Sequence, residues 1–281
     1  MQTICEGSKL LKSNFPQFQF KHCTPIINDS IDTKCYCIDD KYVLLISSKP
    51  SVFGPVSAAK TIQNITPFVK QFIPKIYEVS DSAVLMEYVK GESLNRLIWK
   101  KLNSKEKESL CDNFIEIFEN FKKIPLNSSF NNYSPDYKTF KTRYKKIKSN
   151  ILSKVPIHVM QEYEHSVGKF INNPSNFEIK PSFVHNELVA PHIIIKDNRL
   201  SGLIDFGHSG IGDPAVDLSF LLMTYGKDIL NRMSKKSTLI KELEERAQFY
   251  LRWNLLNFIL IGQEHNEERW FYNHLSFPFD I

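Results

Sequence analysis

Glycine is scarce in this chain, and its distribution is the feature that most constrains the fold. Four of the ten glycines, Gly202, Gly207, Gly210 and Gly212, lie within residues 202–212. Glycine tolerates backbone conformations that other residues avoid, and it allows two chain segments to approach closely. This concentration indicates tight turns in one short segment, and the polar residues around it are the first candidates for a functional site.

The composition of the 281 residues is that of a globular protein, because 42% are hydrophobic and 24% are charged. These fractions disfavour collagen-like, low-complexity and wholly disordered chains. The longest apolar stretch, 253–262, is interrupted by Asn254 and Asn257 and is shorter than the roughly 20 residues that a membrane span needs. The N-terminus has no apolar run of the kind found in signal peptides. We therefore predict a cytoplasmic protein without a membrane partner.

Cysteine usage and net charge fit the same prediction. The five cysteines are Cys5, Cys23, Cys35, Cys37 and Cys111. Their odd number and the lack of a CxxC pair favour reduced thiols over disulfides or a zinc site. The net charge is +5, and its densest basic cluster, residues 138–148, has a helical pattern in which a solvated helix face explains the charge. No aromatic-basic motif accompanies this cluster, so nucleic acid is not predicted as a partner, and binding of nucleic acid through 138–148 is the weakest alternative.

The first 90 residues have the pattern of strands joined by short turns. Two segments, 36–47 and 75–89, each predict two strands around a turn that contains an aspartate. Between them, residues 56–65 contain good helix formers and precede Pro67, which predicts one short helix that ends before the proline. We therefore expect a small α+β lobe at this end of the chain.

The period of the apolar residues becomes helical after residue 91. Asn103 and Glu106 form a capping-box signal before the first of these helices. Residues 134–135, a serine followed by a proline, predict the start of the next helix, whose aromatic residues we expect in the core rather than around a cofactor. A third helix is predicted over 157–170 and a long one over 239–261. The second lobe is therefore predicted to be mostly helical.

A compact β insertion interrupts this helical pattern. Strands are predicted over 181–185, 192–196 and 200–205, with a turn over 197–199. A hairpin that joins His192 to Asp205 places both residues at the same edge.

Polar residues around this hairpin suggest a site. We expect Glu187, in the loop before the hairpin, to line one site with His192 and Asp205. Paired carboxylates supply the hard oxygen ligands that suit Mg²⁺, an ion that normally bridges substrate phosphates. The alternative is that Asp205 caps a turn and that Glu187 is solvated.

The segment around this hairpin resembles a known enzyme family. Residues 184–222 read VHNELVAPHIIIKDNRLSGLIDFGHSGIGDPAVDLSFLL, which is similar to the aminoglycoside phosphotransferase and choline kinase-like family. In that family an H-x-D loop precedes an Asn, a hairpin, an I-D-F-G segment and a G-D-P-x-x-D segment. The matching positions here are His185, Glu187, His192, Asp205, Asp213 and Asp217. A His in place of the family's Asn resembles the aminoglycoside 2''-phosphotransferases.

The resemblance covers nearly the whole chain. Residues 74–94 are similar to the family's strand and hinge, and residues 246–262 are similar to the helix pair that closes the substrate side. The resemblance implies an α+β, bilobal, protein-kinase-like fold with a small β-rich N-lobe and a larger, mostly helical C-lobe. It implies an N-lobe over 1–86, a hinge and connection over 87–95, and a C-lobe over 96–281.

The resemblance also implies a role for each residue of the site. Asp205 would bind Mg²⁺ that bridges the nucleotide phosphates, with His192 in the second metal position. Glu187 would stand where the family's catalytic Asp accepts the proton of the substrate hydroxyl. Asp217 and His185 would brace the catalytic loop.

On the nucleotide side, the resemblance implies that the hinge residues Glu87, Tyr88 and Val89 bind the base of ATP or GTP, the phosphoryl donor. The loop that would cover the phosphates contains no glycine, and its small residues Ser30 and Thr33 are the expected phosphate contacts.

This chain departs from the family's pattern at several positions of the N-lobe. Leu45 stands near the place of the phosphate-pairing lysine of the third strand. Ala58 and Ala59 stand where the family has the glutamate that pairs with that lysine. Lys49 or Lys60, at neighbouring backbone positions, is an alternative source of positive charge.

Two functions follow, since the metal side resembles the family more closely than the nucleotide side does. The first is transfer of a nucleotide γ-phosphoryl group to a hydroxyl of a small molecule, such as an aminoglycoside or another amino sugar or alcohol, or to a peptide Ser or Thr. The second is a pseudokinase that acts as a binding or scaffold module.

Two residues near the predicted site complete the sequence predictions. Glu187 is one methylene longer than the family's aspartate. His208, beside the Asp-Phe-Gly segment, is predicted to be a surface residue.

Overall fold

The computed structural model describes residues 6–27, 33–49 and 51–266, so Cys5 and Ser30 lie outside the described residues. The chain divides into two compact units. The first unit comprises Met1–Asn131 and Val189–Gly210, and the second comprises Asn132–Leu188 and Ile211–Ile281. The predicted lobe boundaries at 86 and 96 stay a prediction. Within the described residues, no helix has the length and apolar character needed to cross a membrane.

The first unit contains an antiparallel sheet of five strands in the order β1-β2-β3-β5-β4. The strands are β1 (Cys23–Ile26), β2 (Thr33–Ile38), β3 (Tyr42–Ser47), β4 (Ile76–Val79) and β5 (Ala83–Glu87). Both predicted hairpins are therefore present. Asp39 and Asp40 each adopt a φ of +52° in the turn between β2 and β3, a conformation that aspartate tolerates better than most residues. The Asp39 carboxylate accepts hydrogen bonds from the backbone N–H groups of Lys21 and His22.

Helix α1 (Glu6–Asn14) covers one face of this sheet. Leu11 of α1 and the following Phe15 are buried in a cluster with Leu44, Ile46 and Leu85 of the strands. Alternation along β3 places Leu44 and Ile46 on this face, while Leu45 lies on the opposite face. The apolar cluster fixes the register of β3 and thereby the side on which Leu45 stands.

Helix α2 (Pro55–Val69) is longer than predicted, because it continues through Pro67. Proline lacks the N–H that would bond the Gln63 carbonyl. Pro67 and Gln63 are both exposed, so water can solvate that carbonyl. The Thr66 hydroxyl adds a hydrogen bond of 2.7 Å to the Ile62 carbonyl. The expectation that the helix ends before the proline was therefore wrong.

The rest of the first unit joins two helices to a small sheet. Helix α3 covers Arg96–Lys101 and α4 covers Ser104–Phe121. The predicted capping box is confirmed: the Asn103 side chain accepts from the Glu106 N–H at 3.0 Å, and the Glu106 carboxylate accepts from the Asn103 N–H at 2.8 Å. Strands β6 (Glu92–Ser93), β9 (Ile193–Lys196) and β10 (Arg199–Leu203) form a sheet in the order β10-β9-β6. Asn198 in the β9–β10 turn donates to Glu106 at 2.8 Å.

The second unit is mostly helical, as predicted. Its helices are α5 (Tyr137–Asn150), α6 (Ile157–Tyr163), α7 (Lys169–Ile171), α8 (Ala215–Tyr225), α9 (Lys227–Ser234) and α10 (Thr238–Glu264). The strand predicted over 181–185 is β8 (Ser182–Val184), and it forms a sheet in the order β7-β11-β8 with β7 (Asn131–Asn132) and β11 (Gly210–Gly212). The prediction of one compact insertion was wrong here, because β8 lies in a different sheet from β9 and β10.

Two helix predictions in this unit need correction. Helix α5 is capped by Asp136, whose carboxylate accepts from the Thr139 N–H at 2.8 Å, rather than by Ser134. An aspartate is as good an N-cap as a serine, and it stands directly before the first helical residue. The helix predicted over 157–170 contains a π-helical turn, Glu164–Gly168. At Gly168 a Cβ atom would lie 2.7 Å from the Tyr144 hydroxyl.

Aromatic residues pack together in the second unit, as predicted for its core. Their rings come from α5, α7, α10 and a short 3₁₀ turn, and they are Phe140, Phe170, Phe177, Phe249 and Trp253. Phe170 and Phe249 stack with centroids 3.9 Å apart. Such contacts add to the burial of apolar area, so these rings hold α10 against the shorter helices.

The capping box of α4 predicts a measurable loss of stability. We expect Asn103→Ala to lower the free energy of unfolding by about 1 kcal/mol, because a backbone N–H of the first turn loses its acceptor. Asn103→Asp keeps an acceptor at the same position and is expected to stay close to the parent. Urea unfolding of the three proteins tests this, and equal midpoints for the alanine and aspartate variants would contradict it.

Candidate active site

Strand β10 ends at Leu203, two residues before Asp205, and the hairpin brings Asp205 to His192 in the first unit. His192 Nε2 lies 3.5 Å from Asp205 Oδ2. The Ile204 N–H donates to the His192 carbonyl at 3.0 Å, which fixes the two chain segments side by side. The prediction that the hairpin places these two residues together is confirmed. Asp205 has a φ of +63°, so the chain turns sharply at this carboxylate.

The residues after Asp205 pack against the loop that precedes α2. Phe206 is buried, and a Cβ atom at Gly207 would lie 2.7 Å from the Phe53 carbonyl oxygen. The rings of His208 and Phe53 stack with centroids 4.6 Å apart. His208 is half-buried, and its prediction as a surface residue did not include the contact with Phe53. Glycine at 207 allows the approach that holds Asp205 beside this loop.

In the second unit, β8 leads into the predicted catalytic loop. His185 is fully buried, and Asn186 has a φ of +67°. The Asp217 carboxylate, on α8, accepts from the His185 N–H at 2.8 Å and from the Asn186 N–H at 2.7 Å. Glu187, the next residue, is half-buried. This is the arrangement that a bracing role for Asp217 requires.

Burial dominates the electrostatics of Asp217. Only 1% of this residue is exposed, and desolvation raises the pKa of its carboxyl from 3.8 to about 7. The N–H donors of His185 and Asn186 act in the opposite direction, because they favour the charged form. The two hydrogen bonds therefore stabilise a carboxylate in a position where water does not reach it.

The residues around Asp205 fit a magnesium ion. The Asp205 side chain is 54% exposed, which leaves room for the waters and substrate phosphates that complete the coordination of Mg²⁺. The imidazole of His192 is 17% exposed, and its nitrogen is a softer donor than the family's amide oxygen. Asp205 is therefore the stronger candidate ligand of the pair.

The two lysines that were predicted as alternative sources of charge line one cavity. Lys49 and Lys60 both line a cavity of about 410 Å³ in the first unit, together with Ser51 and Ser57 at the start of α2. Leu45, on β3, pairs with Val84 and supplies no charge. The structure thus brings positive charge close to the start of α2.

Backbone hydrogen bonds hold the hinge residues Glu87 and Tyr88 in place. The N–H groups of Glu87 and Tyr88 donate to the carbonyls of Lys75 and Lys41, at 2.8 Å and 2.9 Å. These two N–H groups are therefore already bonded within the first unit, and the contact of the hinge with a base stays a prediction. Thr33 is the first residue of β2.

Sequence reasoning missed two contacts around this site. Arg246 on α10 donates from Nε to Asp213 Oδ2 at 2.9 Å and from Nη2 to Oδ1 at 3.3 Å. Phe53 covers Gly207 and His208. Both contacts join residues that are distant in the chain, and no periodicity or spacing in a single sequence marks such pairs.

Comparison with known proteins identifies related families and folds. Residues 77–236, more than half of the chain, match the model of the phosphotransferase enzyme family, APH. The structure is similar to the GDP complex of wild-type aminoglycoside 2'-phosphotransferase-IIIa, with a TM-score of 0.78 and 15% identity over 98% of this chain and 97% of that one.

Two further solved structures have the same fold. The gentamicin complex of APH(2'')-IIa has a TM-score of 0.72 and 22% identity over 98% of this chain and 96% of that one. Macrolide 2'-phosphotransferase type I has a TM-score of 0.68 and 15% identity over 98% and 97% of the two chains. The similarity confirms the predicted α+β, kinase-like fold, with a sheet in the N-terminal region and helices in the C-terminal part.

The raised pKa of Asp217 predicts how stability depends on pH. Because the folded pKa of about 7 lies above the ordinary value of 3.8, the folded state binds this proton more tightly than the unfolded state does. The contribution of Asp217 is complete below about pH 4 and is lost as the pH rises to about 7. We expect the free energy of unfolding of the parent to fall relative to that of Asp217→Asn over this range, by up to about 1.4 kcal/mol per pH unit. Parallel curves from urea unfolding would contradict this.

Proposed function

Because the chain belongs to the phosphotransferase enzyme family, we propose that it transfers the γ-phosphoryl group of ATP or GTP to a hydroxyl group of a small molecule, with Mg²⁺. The observation that carries the proposal is the position of Asp205. This half-exposed carboxylate stands at a sharp turn, 3.5 Å from His192 and directly before the segment that packs on the loop before α2. Such a carboxylate is suited to holding a metal ion against nucleotide phosphates.

Each residue has a defined part in the proposed reaction. Asp205 holds the metal ion, with His192 beside it in the second metal position. Bound Mg²⁺ would neutralise the charge on the phosphate oxygens. The acceptor hydroxyl oxygen forms a bond to the γ-phosphorus, the bond from that phosphorus to the bridging oxygen breaks, and the nucleoside diphosphate leaves. Glu187 accepts the hydroxyl proton, while Asp217 and the buried His185 hold its loop in place.

Glu187 keeps the charge of the family's catalytic aspartate on a side chain one methylene longer. A shift of about 1 Å in a catalytic group is enough to cost roughly 100-fold in rate. The two backbone hydrogen bonds to Asp217 immediately before Glu187 set its Cα position. In this proposal the acceptor binds about one methylene further from the loop than it does in an enzyme with aspartate.

The nucleotide donor is supported by the hinge and by the related structures. The complex of aminoglycoside 2'-phosphotransferase-IIIa contains GDP. We propose that Glu87, Tyr88 and Val89 contact the base, and that Lys49 and Lys60 supply the charge that the lysine of the third strand supplies in the family. Ser30 and Thr33 complete the predicted phosphate contacts.

We propose two classes of acceptor. One is a polycation such as an aminoglycoside, and the other is an uncharged or weakly charged hydroxyl compound. Recognition of aminoglycosides needs acidic side chains, but Glu264 of the second unit already pairs with Arg143 at 3.5 Å and with Lys146 at 3.2 Å. The acceptor panel therefore includes aminoglycosides, macrolides, other amino sugars and alcohols, and a Ser/Thr peptide. Family membership does not favour the pseudokinase alternative.

A cytoplasmic location is part of the same proposal. Cys35 and Cys37 are reduced thiols, and burial raises the pKa of the Cys35 thiol to about 11. Reduced thiols are typical of reducing compartments, where a nucleoside triphosphate donor is also available.

Substitution of Glu187 tests its role as the base. With the acceptor panel, ATP or GTP and Mg²⁺, we expect Glu187→Gln to lower phosphoryl transfer at least about 100-fold, because the amide cannot take the proton. Glu187→Asp restores the family's residue and is expected to keep measurable turnover.

Glu178→Gln is the matched control, because Glu178 is an exposed acid of the same unit; it is expected to match the parent. Transfer of labelled γ-phosphate is measured for the parent and the three variants. No transfer by the parent to any acceptor would overturn the proposed function. Equal rates for the parent and Glu187→Gln would overturn the role of Glu187 alone.

A further inference from the structure

A buried ion pair links the longest helix to the segment that carries the G-D-P motif. Arg246 on α10 donates two hydrogen bonds to the Asp213 carboxylate, at 2.9 Å and 3.3 Å. The Asp213 side chain is 1% exposed and that of Arg246 is 26% exposed. The geometry is bidentate, which fixes orientation as well as charge. Burial and the nearby Asp213 carboxylate raise the pKa of Tyr250, which lies one turn further along α10.

Asp213 in turn sets the start of α8. Its Oδ1 atom accepts from the Ala215 N–H at 3.0 Å, and its backbone carbonyl accepts from the Val216 N–H at 3.0 Å. These are the N–H groups that a helix leaves without intrahelical partners at its first turn. Arg246 therefore holds the residue that accepts the first two N–H groups of α8, and with it the direction in which this helix begins.

The first turn of α8 carries Asp217, which is bonded to the catalytic loop. Its two carboxylate oxygens accept from the N–H groups of His185 and Asn186, and Glu187 follows directly. Arg246 is thus connected to the loop by its bonds to Asp213, by the first turn of α8, and by the two bonds of Asp217. All of these residues lie in the second unit.

We propose that Arg246 is a positioning residue for phosphoryl transfer: its bidentate bond to Asp213 sets the start of α8 and, through Asp217, the backbone that carries Glu187. This inference rests on the proposed function. Stability alone is a weak reason for such a pair, since apolar residues of similar volume often replace buried ion pairs without loss. A forked guanidinium, in contrast, is suited to holding a carboxylate in one orientation.

Hydrogen exchange tests the series without any need for activity. We expect Arg246→Met to speed exchange of the His185 and Asn186 amides at least about tenfold, because α8 then has more than one orientation at its start. Arg246→Lys keeps the charge without the fork and is expected to show an intermediate effect.

Arg232→Met is the matched control. Arg232 forms an ion pair of 2.7 Å with Asp228 one turn away on α9, and this pair is more exposed. Exchange at His185 and Asn186 is expected to equal that of the parent in this variant. Should Arg246→Met fail to fold, Arg246→Lys and Asp213→Asn carry the same test. Unchanged exchange in the folded variants of Arg246 and Asp213 would overturn the proposal.

Kinetics distinguish positioning from a general loss of stability. In folded Arg246→Met we expect kcat to fall about tenfold, while KM for ATP or GTP stays within about twofold, since the predicted nucleotide contacts lie in the first unit. Equal falls in Arg246→Met and Arg232→Met would overturn the positioning role. A parent without transfer to any acceptor, and without hydrolysis of ATP or GTP, speaks against the proposed function instead, while the exchange result still decides the structural part.

Discussion

The buried carboxylate of Asp217 is the constraint on which the loop of Glu187, the proposed base, depends. Removing a charge from water is unfavourable unless hydrogen bonds replace the lost solvation. Here both oxygens accept backbone N–H groups, from His185 and from Asn186. Those two bonds hold Asn186 in a left-handed conformation, and the chain turns out of β8 at that point. The position of Glu187 is therefore determined by a residue thirty positions further along the chain.

The first unit keeps the hairpin that joins His192 to Asp205, but it has Leu45 near the position of the family's lysine. The hairpin β9–β10 keeps His192 and Asp205 together, and glycine at 207 lets the following segment pack on Phe53. Leu45, on the face of β3 opposite the apolar cluster, provides no charge for phosphates. Positive charge is present instead at Lys49 and Lys60, which line one cavity. The fold remains that of phosphotransferases, and the role of these two lysines in holding phosphates is part of the proposed function.

Local features of this fold were predictable from the sequence because they depend on neighbouring residues. A capping box joins residues three apart, so Asn103 and Glu106 were recognisable, and strand alternation revealed both N-terminal hairpins. The continuation of α2 through Pro67 was not predictable, because it depends on solvation of one carbonyl. The sheet that contains β8 depends on partners distant in the chain. The contact of His192 with Asp205 was predictable because one short hairpin joins them. The pairing of Arg246 with Asp213 was not, because these residues are distant in the chain and no local pattern marks them.

Calorimetric binding of ATP and of GTP, with and without Mg²⁺, tests the central claim most directly. Asp205→Asn removes the charge at a positive φ that asparagine tolerates, and Asp197→Asn is the matched control in the same hairpin, with a φ of +51°. The account predicts Mg²⁺-dependent binding of at least one nucleotide by the parent and by Asp197→Asn, weakened at least about tenfold in Asp205→Asn. Absence of binding to the parent, or equal binding by Asp205→Asn, would contradict it.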